Sequence, residues 1–239
     1  MSHRKFAFLV SLVILAASAA GADDQLPPGE PLKAPPGHII VEEELWTDLA
    51  DEPGHHMDRA REAFIGVDAA VAAAEIRKAA THLRISAGQA AAGSKRALLR
   101  SAHELESLAK RIEAGTVRSV NELDAAFARA LHALAHHHCV LAENSWSHHE
   151  TRCAGKQMRA AADNMERSAA RAGHALQNAT HEVAEDVRII SGKLVEGTGF
   201  VVDEVGKGFT SLGKGVENVG KGIEPHPPVA AKENVPATK

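Results

Sequence analysis

Tyrosine is absent and aromatic residues make up only 3% of the chain, which argues against a ligand pocket lined with rings. Proline does not occur between Pro53 and Pro225, so any break in that stretch has to be made by glycine or by capping residues. There are only two cysteines, Cys139 and Cys153, and neither belongs to a Cys-x-x-Cys-His motif, which excludes a c-type haem. No nucleophile elbow, P-loop or dinucleotide fingerprint is present, and scattered Ser, His and Asp do not make a triad, so catalysis is not expected. Beyond the first 22 residues no segment approaches the ~18 apolar residues that a membrane span needs.

Those first residues have the layout of a secretory signal peptide. Arg4 and Lys5 precede an apolar run from Phe6 to Ala17, followed by small residues and an Ala-x-Ala site at Ala20 to Ala22. The expected location is therefore periplasmic or secreted. Cleavage would remove Arg4 and Lys5 and no acid, taking the formal net charge from -4 to -6. An acidic chain of this kind is a poor match for nucleic acid.

What the chain does have is alanine-rich helical sequence, part of which occurs twice. His55 to Ala87 aligns with His137 to Ala169 at an offset of 82 residues, with nine of 33 positions identical. Five of the nine are alanine, so the weight rests on the matched pairs His55-His56 and His137-His138 and on Phe64 against Trp146. The spacing predicts a duplicated helix-turn-helix unit. The first copy, Ala60-x3-Phe64 followed by Ala72-x3-Ile76-x2-Ala79, resembles the tetratricopeptide helix pair, with a shorter turn and without that family's Trp, Gly and Pro positions. The resemblance implies two paired helices with an aromatic wedge.

The predicted fold class is all-α: a helical bundle over 55–195, preceded by a Pro-rich leader and short packed segment (23–54) and followed by a disordered tail (225–239). Predicted helices cover 55–66, 69–91, 95–113, 119–146 and 149–195. Asp68, Ser147 with Glu150, and Ser119 with Glu122 are the expected N-terminal capping residues. Residues 39–49 read as a short extended piece and a helical turn, ended by Pro53-Gly54 and packed by Trp46. Between 196 and 224 three Gly-Lys-Gly heptads put Val205, Phe209, Leu212, Val216, Val219 and Ile223 on one apolar side. Each interior glycine costs about 1 kcal/mol relative to alanine, so this segment is expected to be frayed alone in water. Residues 198–224 would then fold on a membrane surface or a protein partner, or remain a flexible extension.

Histidine is the main chemical signal, with 15 in the chain. If the two units pack about a twofold axis, His55, His56, His137 and His138 could converge, with His82 as a fifth ligand, on a site suited to Cu, Ni or Zn. A second stripe, His132, His136, Cys139 and Glu143, runs along one helical face at spacings of 4, 3 and 4. For the cysteines the two hairpin placements disagree. A turn centred within 140–152 sets Cys139 and Cys153 level for a disulfide, whereas the repeat register puts the centre near 149.5 and leaves them ~10 Å apart along the axis.

Two functional readings follow. One is an exported, non-catalytic helical interaction or scaffold protein of the bacterial envelope. The alternative is a periplasmic histidine-rich protein that binds or buffers a transition metal.

Overall fold

A computed structural model describes residues 43–223, with side chains from Asp51 onward. The predicted leader, signal peptide, Trp46 side chain and carboxy-terminal tail lie outside the described residues. The chain divides into two compact units, 1–49 and 50–239; of the first, only the opening turns of one helix are described. Among the described residues there are seven helices and no strand: α1 Glu43–Ile65, α2 Ala69–Gln89, α3 Ala92–Glu113, α4 Val120–Ser147, α5 Thr151–Ala172, α6 His174–Glu196 and α7 Val202–Gly222. None of them is long and apolar enough to cross a membrane.

The 82-residue offset recurs in the backbone. Helices α2, α3 and α4 begin at 69, 92 and 120, and α5, α6 and α7 begin 82 residues later, at 151, 174 and 202. The turns α1–α2 and α4–α5 close with the same bonds. Asp68 N–H donates to Ala63 C=O at 2.8 Å and Glu150 N–H to Ser145 C=O at 2.9 Å; Val67 N–H and His149 N–H likewise reach Phe64 and Trp146 at 3.1 and 3.0 Å. Both turns pass through a left-handed residue, Val67 at φ 63° and His149 at φ 61°, which satisfies the last carbonyls of the preceding helix.

Several predicted boundaries are corrected. Pro53-Gly54 does not end a segment: α1 begins at Glu43 and runs through Pro53. The predicted helix 149–195 is two helices, because Gly173 at φ 133° and ψ 158° breaks it between α5 and α6 in a conformation that a side chain would oppose. The joint between α2 and α3 falls at Ala90-Ala91, not at the predicted 92–94. Asp68 and Ser119 do cap, accepting from Val71 N–H at 3.0 Å and Asn121 N–H at 3.2 Å. Ser147 does not: its hydroxyl donates back to Asn144 C=O at 2.7 Å, and α5 starts after Glu150.

The core forms two contiguous clusters that share α4. The first takes Met57, Ile76, Leu83, Leu98, Leu105, Leu123 and Phe127; the second takes Met158, Met165, Val187, Leu194, Val205 and Leu212. Small residues line both, so helices approach closely. At Gly155 a methyl group would lie 2.7 Å from Ser191 C=O and 2.8 Å from Leu194 Cβ, a backbone contact that α5 and α6 cannot relax by turning a side chain.

The Gly-Lys-Gly stretch is α7, folded back on the bundle, which corrects its reading as a flexible extension. Val205, Leu212, Val216 and Val219 are buried, and Phe209 and Ile223 pack against the same cluster. Gly208 and Gly215 face Ile190 and Met165, each 2.7 Å from where a Cβ would stand, so this row of glycines lets α7 sit close. Tertiary packing supplies what the isolated segment lacks. The apolar face assigned to a membrane or partner is covered by the bundle itself.

Two substitutions test this packing in opposite directions. Gly155→Ala should lower stability by ~1–3 kcal/mol despite its better helix propensity, because the clash is with backbone. Val67→Gly should raise it by ~1 kcal/mol, because Val67 is a β-branched, exposed residue held left-handed. Chemical denaturation of both variants measures this, and a stabilising Gly155→Ala would contradict the close α5–α6 contact.

Candidate functional site

One histidine of each repeated pair serves its own hairpin. His56 on α1 places Nδ1 2.6 Å from Glu75 Oε2 on α2, and His138 on α4 places Nδ1 2.7 Å from Gln157 Oε1 on α5. Both partners lie 19 residues on, and the two bonds are related by the same 82-residue offset. These rings therefore fasten the helices of a pair together.

Around His56 the bonding is saturated. Nε2 lies 3.1 Å from Glu52 Oε1, while Glu75 also accepts from Lys78 Nζ at 2.6 Å and Arg59 Nε at 3.0 Å. Burial alone would raise the Glu75 carboxyl, but the bonds from Lys78, His56 and Arg59 outweigh it and hold its pKa at about 2. His82 does come close, its ring centroid 5.5 Å from that of His56, and its pKa is lowered by burial and then by His56. A divalent cation entering here would meet Arg59 and Lys78 and would have to displace His56 from two carboxylates.

The other candidate ligands point to separate tasks. His55 is exposed, whereas His137 is buried and lies 5.5 Å, centroid to centroid, from His138. Along the second stripe His132 Nε2 donates to Val216 C=O at 3.0 Å, tying α4 to α7, while His136 Nδ1 meets Ser94 Oγ at 3.2 Å. Cys139 is half-buried against the second cluster, and Glu143 is exposed. Among the described residues no three His, Cys, Asp or Glu side chains gather in a metal-holding group. Both thiols are free. The turn at 148–150 sets them out of level, as the repeat register implies. Burial, then Glu143, pushes the Cys139 thiol up to about 12, and burial raises Cys153 too, so neither is a ready thiolate.

Sequence reasoning missed the ion pairs that join helices. Arg129 Nε on α4 donates to both Glu104 oxygens on α3, at 3.0 and 3.1 Å, with the two side chains 9% and 14% exposed. Asp124 accepts from Arg61 at 2.9 Å and Arg171 at 3.0 Å, and Arg171 also reaches Asp58, binding α1, α4 and α5. Others are visible in sequence once charges are compared across the full 82 residues. Arg84 pairs with Glu106, and at the same offset Glu166 pairs with Arg188, the signs exchanged. Arg111 pairs with Glu122, and Lys193 with Glu204.

His137 gives an acid-sensitivity test. Its pKa is lowered to about 4, by burial first and then by His138 and His136. The native state therefore resists a proton that the unfolded chain accepts near 6.5, so stability is full above that pH and falls as the pH drops toward 4. By linkage this residue alone makes the protein about 2 kcal/mol less stable at pH 5 than at pH 7. Urea unfolding of the wild type and of His137→Leu at both pH values should show that much less pH dependence in the variant; equal dependence would contradict the assignment.

No protein-family model matches this chain, and neither a curated protein nor a solved structure does.

Proposed function

We propose that this is an exported, non-catalytic helical scaffold protein that presents stacked helices to a protein partner in the bacterial envelope. The observation that carries the reading is the 82-residue recurrence of helix starts, turns and ion pairs from α2 to α7. Such recurrence describes two related three-helix units, α1–α3 and α4–α6, with α7 standing where the first helix of a third unit would begin. The shorter units predicted from sequence, 55–87 and 137–169, are the middle of these larger ones. Stacked units of this kind contact only their neighbours and offer continuous outer surfaces.

Further support comes from the side chains with chemical potential. His56, His132, His136, His138 and His181 each bond a neighbouring residue, and both thiols are raised. Export rests on the sequence of residues 1–22.

Photo-cross-linking residues placed at the exposed positions Val67, Ile85, Leu99 and Ile189 test the proposal in cells. The expected result is one discrete adduct from a contiguous subset of these sites, unchanged by a chelator. No adduct at any site, together with saturable Cu(II), Ni(II) or Zn(II) binding in dialysis that disappears when His55, His56, His137 and His138 are replaced by Ala, would overturn it in favour of the metal reading.

A further inference from the structure

The two helix junctions related by the offset differ at one point. At α3–α4 the Arg129 guanidinium lies across the Glu104 carboxylate, largely buried. At α6–α7 the corresponding residues are Asp186 and Ser211. The surrounding frame is kept: Lys193 Nζ lies 2.5 Å from Glu204 Oε1 where Arg111 meets Glu122, and Val187, Ile190 and Gly208 stand for Leu105, Leu108 and Ala126. An acid is thus retained while its guanidinium is not.

An open groove of about 360 Å³ between α6 and α7 is lined by both Asp186 and Ser211, each of them exposed. Val187 and Ile190 give it apolar walls, and Asp203, Glu204 and Lys207 complete its polar edge. Glu204 is already paired with Lys193, whereas Asp186 and Asp203 make no ion pair among the described residues. Lys207 sits one turn from both Asp203 and Ser211 along α7, so the unpaired charge at the cavity amounts to two carboxylates against one ammonium.

A guanidinium suits this place better than an ammonium. It is weakly hydrated, its planar faces pack on aliphatic walls, and its fork matches a carboxylate, as Arg129 does at the other junction. The rim also selects for a polypeptide: Ile189 and Val201 are 59% and 64% exposed, offering apolar contact to residues flanking the arginine. We propose that the α6–α7 cavity is a socket for an arginine side chain of a partner polypeptide, which supplies in trans the guanidinium that Arg129 supplies in cis. This rests on the scaffold reading and adds the chemistry of the partner.

The test uses the full chain, titrated with the capped peptide Leu-Ala-Arg-Ala-Val and its citrulline twin, with backbone amide shifts as the readout. The arginine peptide should shift amides of 186–190 and 201–211 and bind at least fivefold more tightly than the uncharged twin. Asp186→Ala should reduce its affinity at least fivefold. Ser211→Arg should abolish binding and raise the thermal midpoint by filling the socket from within. Equal affinity for the two peptides, or undiminished binding by both variants, would overturn the socket while leaving adducts elsewhere on the scaffold unaffected. Should Ser211→Arg fail to fold, the citrulline comparison and Asp186→Ala still decide the matter.

Discussion

Because the side chains between the helices are small, the helices lie close, and the rest of the structure depends on that closeness. Ala72, Ala79, Ala80, Ala154, Ala161, Ala162 and Ala169 are fully buried along α2 and α5, with Gly155 at the α5–α6 crossing. An alanine removes little apolar area from water, so cohesion has to come from the number of close dispersion contacts and not from a few large rings. A core of this kind tolerates added methylenes poorly and makes little use of aromatic residues, which are 3% of the chain.

Close packing fixes the distance between helices but says little about which helices meet. That selection falls to polar pairs at half-buried positions. His56 with Glu75 and His138 with Gln157 join each helix to the next, and Arg111 with Glu122 and Lys193 with Glu204 join one group of three to the following helix. The exchange of sign between Arg84 with Glu106 and Glu166 with Arg188 is informative here. The place of the pair is the same and only its polarity differs, as expected where geometry is fixed by packing and either orientation satisfies it. The outer face of α7 carries Gly206, Lys207, Thr210, Gly213, Lys214 and Glu217 in solvent.

Much of this was legible in the sequence, and the failures have physical causes. The all-α class, the 82-residue offset and the turn at Asp68 follow from helix-forming composition and local capping. The joint at Gly173 was overlooked because apolar residues on either side keep one helical stripe going across it, whereas a single backbone conformation ends the helix. Helix α7 was misjudged because glycine counts against an isolated helix but permits a packed one, and propensity carries no information about the surface waiting at Ile190 and Met165. The convergent histidine site was expected from spacing alone. Of these rings, His56 and His138 each find an acceptor in their own hairpin, a choice made by residues 19 positions away. Extending the comparison from identities to charges would have carried the 82-residue offset on to α3 and α6.

The 82-residue register is tested most directly by lengthening the protein. A second copy of residues 120–201 inserted between Val201 and Val202 would place a new α4 on α6, bringing a second Arg129 to Asp186, and would leave α7 as the end of the stack. If the units are equivalent, the longer chain keeps the helicity per residue of the parent by circular dichroism and unfolds with a midpoint at or above the parent's. Loss of helicity, or a midpoint below that of the parent, would show that the α3–α4 and α6–α7 junctions are not interchangeable and would contradict the modular architecture.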